Sequence, residues 1–225
     1  MDTYEEKESG LIPIKELDLF YTPPMEGAIQ KKQWVQYRPT ATISDGSPLE
    51  FIMSGTGSQY IDLKRTYLSV ITRIIKDDGS KCPPEEKVGP VNLTLHSLFS
   101  QIDLFLNQKL ASTVGVNYPY KAMIDTLLNA TSEKMGSSLQ TEGFVKDVTD
   151  FIDDDDPLEG TNTGLTKRFV MMSWSKLTEF RGPLHLDLVD QDRYIVNDVE
   201  TKLSLWPTKD AFRLMAHGDD TPYKI

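Results

Sequence analysis

The sequence predicts a mostly-β protein, folded as a single antiparallel jelly-roll β-sandwich with two short helices and long loops. Three observations support this prediction. Apolar residues alternate with polar ones in short runs, such as Leu203 and Leu205 against Lys202 and Ser204. Glycine, proline and aspartate divide these runs into about eight strands. The 225 residues contain no fixed-period repeat and no linker-like stretch, so we expect one large domain.

The first β-rich runs lie in the N-terminal third of the chain. β-forming residues predict strands at 34–43 and 49–53, joined by a turn at Asp45-Gly46. Gly55-Thr56-Gly57 then breaks the second strand. Because no Lys-Ser/Thr pair and no helical pattern follow these glycines, they favour a turn over a phosphate-binding loop.

The longest β-like run covers residues 60–76. Its alternation changes parity near residues 65–67, which predicts a bulge or a strand buried on both faces. Asp77-Asp78-Gly79 ends the run, and residues 82–90 are predicted to form a loop.

The stretch from residue 88 to residue 130 changes its periodicity twice. Apolar residues predict a short helix at 91–99, a strand at 101–110, and a second helix at 119–130. Asn107, Gln108 and Lys109 are expected near a turn or a contact surface. No catalytic group stands out in this stretch, so we expect it to be architectural.

The rest of the chain is patterned unevenly. Residues 131–180 are weakly patterned and predict a long, functional or mobile excursion, with one short strand near 169–174. Beyond them, alternating apolar residues predict strands at 184–188, 202–205 and 212–216.

Composition argues against nucleic-acid and membrane-spanning functions. The net charge is −10, and the basic pairs Lys31-Lys32, Lys64-Arg65 and Lys167-Arg168 are scattered, so solvated surface is expected rather than phosphate contact. No run approaches the roughly 20 apolar residues of a spanning helix. The acidic N-terminus does not resemble a secretory signal.

Cysteine content indicates a reducing compartment or indifference to redox state. Cys82 is the single cysteine, so no intrachain disulfide is expected. The sequons at Asn92 and Asn129 are then not expected to be glycosylated.

The histidines do not suggest a metal site. His96, His185 and His217 lack metal-ligand spacing along the chain, so structural or surface roles are expected for each. No Gly-x-Ser-x-Gly motif is present, and Cys82 has no visible base beside it. Neither catalysis nor a cofactor is expected.

Two further features leave alternatives open. Asp153–Asp156 is an acidic run that could bind an ion or a partner, but it lacks the pattern of a calcium loop and favours a solvated loop. Trp34, Trp174 and Trp206 could form a sugar-binding platform, although core or interface packing is the commoner role of tryptophan.

Four long sequence segments carry a family resemblance: LDLFYTPP, VGPVNLTLHSLFSQIDLFLNQKL, YPYKAMIDTLLN and HLDLVDQDRYIVNDVE. Through them, residues 17–225 resemble the major capsid protein of Polinton/Maverick elements and adintovirus-like viruses, a hexon-like double jelly-roll family. The resemblance implies an N-terminal arm at 1–30 and a jelly-roll domain at 31–225, the first of two rolls. The final Tyr-Lys-Ile resembles the lead-in to the second roll.

The family implies a structural, non-enzymatic protein. Its partners would be other copies of itself, as a trimeric capsomer or another homo-oligomer, and other capsid proteins, with no specific nucleic-acid binding and no membrane span. It would reside in the virion, assembled in the nucleus or cytoplasm and not secreted. The alternatives are a host-domesticated or minor, penton-like single jelly roll acting as a binding or scaffold module. A cupin-like metal enzyme is disfavoured by the lack of a histidine cluster in the sequence.

Overall fold

The computed structural model describes residues 29, 31–40, 46–55, 57, 59–218 and 223–225. The chain divides into two units, Met1–Gln36 and Tyr37–Ile225. In the first unit, the described residues 31–36 are exposed and form neither helix nor strand. The arm predicted at 1–30 lies outside the described residues, apart from Ile29.

The second unit is mostly β, and all of its strand pairs are antiparallel in the described residues, as the sequence predicted. Its strands are β1 (Leu49–Met53), β2 (Tyr67–Thr72), β3 (Ile75–Lys76), β4 (Val88–Pro90), β5 (Phe99–Leu106), β6 (Lys109–Val114), β7 (Thr178–Pro183), β8 (Thr201–Pro207), β9 (Leu214–Ala216) and β10 (Tyr223–Lys224). The main sheet has the order β1-β8-β5-β6, and the other strands form the pairs β2-β7, β3-β10 and β4-β9.

Helices fill the connections between these strands. They are α1 (Thr94–Ser97), α2 (Tyr118–Asn129), α3 (Ser132–Met135), α4 (Thr163–Met172) and α5 (Asp210–Arg213). Short 3₁₀ turns occur at Leu63–Arg65, Ser138–Glu142, Thr149–Phe151 and Ser173–Ser175. None of the described helices is long and apolar enough to cross a membrane.

The main core lies between the four-stranded sheet and β2. Ile102 and Leu104 of β5 and Leu205 of β8 are among its buried residues, and Leu68 and Val70 of β2 pack against them. Leu68 and Val70 also contact a second cluster around Leu95, Met172 and Phe180. The β2–β7 pair therefore packs as a second layer, an arrangement consistent with a β-sandwich.

The stretch from residue 88 to residue 130 contains the predicted helix, strand and helix as α1, β5 and α2, together with β6, a second strand that the sequence did not predict. α1 and α2 flank β5, which lies between β8 and β6 in the sheet. The strand ends at Leu106 rather than at residue 110 because Asn107 and Gln108 form a two-residue hairpin turn. Their φ angles are 46° and 66°, the positive values that such hairpins require.

Two predicted strands of the first half were wrong in detail. Residues 34–40 form no strand and are largely exposed, although Thr40 donates its N–H to the Glu50 carbonyl at 2.7 Å. Residues 41–43 of the predicted strand lie outside the described residues. The run 60–76 is interrupted by the 3₁₀ turn at Leu63–Arg65, which buries Leu63 and accounts for the change of parity. The predicted loop 82–90 ends in β4.

Three predictions in the second half also need correction. Residues 169–174 belong to α4 and the following 3₁₀ turn, because Asn162 caps the helix and Leu165, Phe169 and Met172 are buried at helical spacing. Residues 184–188 form no strand. There the Leu186 carbonyl accepts the N–H groups of Val189 and Asp190 and closes a turn. Within 212–216, only Leu214–Ala216 is a strand, since α5 precedes it.

Candidate functional site: a buried histidine–carboxylate cluster

Four polar side chains from separate elements converge beside the main core. His96 lies on α1, Tyr118 begins α2, Glu142 ends the 3₁₀ turn Ser138–Glu142, and His185 follows β7. His96, Tyr118 and Glu142 are buried. The cluster therefore links segments that are distant in sequence.

Asn92 fixes the backbone on which this cluster is built. Its side-chain oxygen accepts the N–H groups of Leu93 and Val145, and its side-chain nitrogen donates to the Val145 carbonyl at 2.7 Å. These bonds hold the start of α1, where Leu93 has φ 55°, against the segment that follows Glu142. Because both polar atoms of its half-buried side chain are engaged in this way, Asn92 is unsuited to glycosylation.

His96 is held at both ring nitrogens. Nε2 lies 3.0 Å from Oε2 of Glu142, and Nδ1 lies 2.9 Å from the hydroxyl of Tyr118. Burial raises the pKa of Tyr118, with the carboxylates of Glu142 and Asp125 adding to the effect and the His185 N–H opposing it. The hydroxyl therefore stays protonated and can donate to Nδ1, while Nε2–H donates to Glu142.

His185 faces His96 but is partnered differently. The two imidazole centroids are 4.7 Å apart with the rings nearly perpendicular at 84°. Nδ1 of His185 lies 3.5 Å from Oδ2 of Asp125, whereas its Nε2 is buried and makes no hydrogen bond to the described residues. Burial, followed by the nearness of His96, lowers the pKa of His185 to about 4, against the opposing carboxylates. The ring is therefore neutral near pH 7.

Two glycines allow close packing around Glu142. A Cβ on Gly182 would lie 2.5 Å from Cγ of Glu142, and a Cβ on Gly143 would lie 2.6 Å from Cβ of Thr94. Gly143 also has φ 79°, in the region that glycine favours. The absence of a side chain at Gly182 leaves room for Glu142, and its absence at Gly143 lets the residue after Glu142 pack against Thr94 of α1.

The cluster opens onto a cavity of about 500 Å³. Glu142 and His185 line it together with Thr126, whose hydroxyl is buried and makes no hydrogen bond to the described residues. The ligand atoms of His96, Glu142 and His185 all lie within 4.8 Å of one another. Chemically, the arrangement can relay hydrogen bonds or coordinate a cation.

The third histidine lies elsewhere, next to the acidic run. Nδ1 of His217 is 2.9 Å from Asp155, and this hydrogen bond raises the pKa of His217. Asp154 accepts the N–H of Asp156 at 3.2 Å, and Asp156 accepts Nζ of Lys87 at 2.5 Å. Hydrogen bonds within the run Asp153–Asp156, and from it to Lys87 and His217, therefore order this segment. The sequence had predicted only a solvated loop here.

The other candidate residues differ in exposure and in hydrogen-bond partners. Trp174 is 67% exposed and Trp206 is 39% exposed, and Nε1 of Trp206 donates to Asp103 at 3.3 Å. Arg168 is buried and not solvated surface, because its guanidinium donates to the Pro90 and Val145 carbonyls and pairs with Asp147 at 2.8 Å. Cys82 is buried and free.

Sequence reasoning did not identify Glu142 or Tyr118 as site residues. Glu142 is 46 residues from His96, and His185 is 67 residues from Tyr118. Metal-site patterns read along the chain detect ligands on one helix or loop, so they cannot detect a cluster assembled by long-range packing. The one local signal was Gly143, beside an acidic residue in a weakly patterned segment.

Fold and site together define a mostly-β protein with a buried histidine–carboxylate cluster. No family model matches the chain. It is similar to an uncharacterised protein of Caenorhabditis elegans, with 25% identity over 203 residues. The similarity covers 87% of this chain and 46% of that protein, so the chain spans about half the length of this relative.

Proposed function

We propose that this chain is a structural capsid subunit of the hexon-like jelly-roll kind. It would self-assemble, as a trimeric capsomer or another homo-oligomer with other capsid proteins, into the shell of a Polinton/Maverick-type DNA virus or its endogenised copy. Support comes from the resemblance over residues 17–225 and from the antiparallel, mostly-β architecture. The protein would reside in the virion.

The order of strand pairing supports a rolled topology. β1 pairs with β8, and β2 pairs with β7, so these pairs are nested along the chain. Nested antiparallel pairing arises when a long hairpin folds over itself, which is how a jelly roll is built. β4–β9 is likewise nested within β3–β10, and these two pairs interleave along the chain with β1–β8 and β2–β7.

The observation that carries the assembly proposal is an exposed apolar face on α2. Tyr120, Ile124, Leu127 and Leu128 are each more than half exposed, and their spacing places them on one side of the helix. They lie in YPYKAMIDTLLN, one of the sequence segments that resemble the capsid family. Contiguous exposed apolar surface of this kind commonly marks a protein–protein contact.

The face can be tested with neighbouring substitutions on the same helix. Leu128 is 78% exposed, so Leu128→Asp should leave the fold intact and place a charge in the contact. Asn129→Asp adds the same charge one residue further on, outside the apolar face, and serves as the matched control. Sedimentation velocity over a range of protein concentrations should give oligomers for the natural chain and Asn129→Asp, and mainly monomer for Leu128→Asp.

Two results would contradict the proposal. One is an oligomer that survives Leu128→Asp with unchanged concentration dependence. The other is a natural chain that stays monomeric at every concentration, which would favour a single-roll binding or scaffold module instead.

A further inference from the structure

We propose that His96, Glu142 and His185 form a binding site for one divalent transition-metal ion, of which Zn²⁺ is the probe. The inference does not depend on the proposed assembly. The site would use two imidazole nitrogens and one carboxylate oxygen, a ligand set that holds zinc in proteins while leaving a fourth position for water. Such an ion would join α1, the 3₁₀ turn Ser138–Glu142 and the segment after β7.

The spacing of the ligand atoms is close to that of a coordination shell. In a tetrahedral zinc site with bonds of about 2.0–2.2 Å, neighbouring ligand atoms lie roughly 3.2–3.6 Å apart. Nε2 of His96 and Oε2 of Glu142 are 3.0 Å apart, and the whole set lies within 4.8 Å. A shift of about 1 Å in one side chain would complete the shell. His185, 18% exposed at its side chain, is the ligand with room to make it.

The unpaired nitrogen of His185 distinguishes a metal site from a plain hydrogen-bonded cluster. His96 and Glu142 satisfy one another and need no ion. Nε2 of His185 is buried without a hydrogen bond to the described residues, and such a group is costly unless something else binds it. A cation bound to this nitrogen would remove that cost.

The groups behind the ligands are those that metal-bound histidines use. Asp125 lies 3.5 Å from Nδ1 of His185, which would fix Nε2 as the coordinating atom. The Tyr118 hydroxyl lies at Nδ1 of His96 in the same way. When an ion replaces the proton on Nε2 of His96, that proton can move to Nδ1, with the Tyr118 oxygen as its acceptor.

The cavity supplies a route of entry and negative charge. It is lined by Glu142 and His185 themselves and by Asp125, Asp187 and Asp190. Two neutral imidazoles and one carboxylate would leave a bound Zn²⁺ with a net positive charge, which these aspartates would offset. Lys121 and Lys134 also line the cavity. Lys121 is paired with Asp187, which reduces its repulsion of an entering cation.

The test compares metal binding by four forms of the full chain. The natural protein is stripped with a chelator and titrated with Zn²⁺ against a chromogenic competitor, and separately with Co²⁺ while its visible absorption is recorded. The variants are His185→Gln, Glu142→Gln, which keeps a hydrogen-bond acceptor for His96, and His217→Gln, which removes a histidine outside the cluster. Far-UV circular dichroism checks that each form is folded.

The proposal predicts one Zn²⁺ per chain, a tetrahedral Co²⁺ spectrum, and a raised thermal midpoint for the metal-loaded natural protein. Affinity should fall at least about tenfold in His185→Gln and Glu142→Gln and stay unchanged in His217→Gln. The proposal is overturned if the natural chain binds no stoichiometric Zn²⁺, or if its binding survives both cluster substitutions. Loss of binding in His217→Gln alone would place the ion elsewhere and would also overturn it.

Discussion

His96 and Glu142, 46 residues apart in the chain, meet at 3.0 Å inside the protein. The contact joins α1 to the 3₁₀ turn Ser138–Glu142, and it leaves Glu142 almost no exposure to solvent. A buried hydrogen bond of this kind adds little net stability, but leaving one of its two polar groups buried without a partner costs considerably more.

Removing the Glu142 carboxylate should therefore lower the free energy of unfolding, whereas replacing it with another hydrogen-bond acceptor should change that free energy little. With chelator present, Glu142→Ala should lower the free energy of unfolding by about 1–3 kcal/mol, because Nε2–H of His96 loses its acceptor. Glu142→Gln should stay within about 1 kcal/mol of the natural protein. Urea denaturation followed by circular dichroism measures both, and equal losses in the two variants would argue against the hydrogen bond.

Arg168 should be a strong determinant of stability. Its guanidinium is 1% exposed at the side chain and pairs with Asp147 at 2.8 Å. Arg168→Met should cost about 3–5 kcal/mol, because the partner charge is left uncompensated. Lys167→Met, an exposed cation on the same helix, should change stability by less than about 0.5 kcal/mol. Comparable losses for the two would contradict the buried role of Arg168.

Gly143 should tolerate no side chain. Gly143→Ala meets both an unfavourable backbone angle, φ 79°, and a contact of 2.6 Å with Thr94. Gly79→Ala is the matched control, since Gly79 has φ 83° and open space around it. The control should cost about 1–2 kcal/mol, and Gly143→Ala about 2 kcal/mol more. Thermal unfolding measures both variants, and equal midpoints for Gly143→Ala and Gly79→Ala would contradict the close packing around Gly143.

Asp156 should contribute to loss of stability in acid. Burial alone would raise its pKa, but hydrogen bonds from Lys87 and from the N–H groups of Glu159 and Leu158 lower it to about 2, against an ordinary 3.8. Its contribution is complete above pH 3.8 and is lost as the pH falls toward 2.

The free energy of unfolding between pH 5 and pH 2 should therefore fall less steeply in Asp156→Asn than in the natural protein. Lys87→Met should flatten the same slope, because it removes the cation that favours the ionised form. Identical slopes in all three proteins would show that this ion pair does not form in solution.

Local periodicity predicted the helices and strands best where turn-forming residues in the sequence mark both of their ends. β1 was predicted with its observed bounds, and the helix, strand and helix of residues 88–130 were predicted in order. α4 was missed although Leu165, Phe169 and Met172 have helical spacing, because the apolar run that begins at Phe169 was interpreted as a short strand. Residues 184–188 do alternate between more and less buried positions, as predicted. Their backbone nevertheless closes a turn, because a pattern of burial does not by itself determine pairing with a neighbouring strand.

The site depended on information that periodicity does not contain. His96 and His185 were recognised individually, yet nothing in their spacing indicated that β7 and α1 would bring the rings to 4.7 Å. Arg168 was assigned to the surface because charged residues are seldom buried unless paired. Its partner Asp147 lies 21 residues away, on a segment without regular structure.

The most direct test of the account is the mass of the natural chain in solution. Native mass spectrometry and light scattering, run across a range of concentrations and salt, would report the number of copies per particle. A self-assembling capsid subunit should give discrete multiples of 25.5 kDa, with three copies or a larger closed shell as the dominant species. A single 25.5 kDa species under every condition would contradict it.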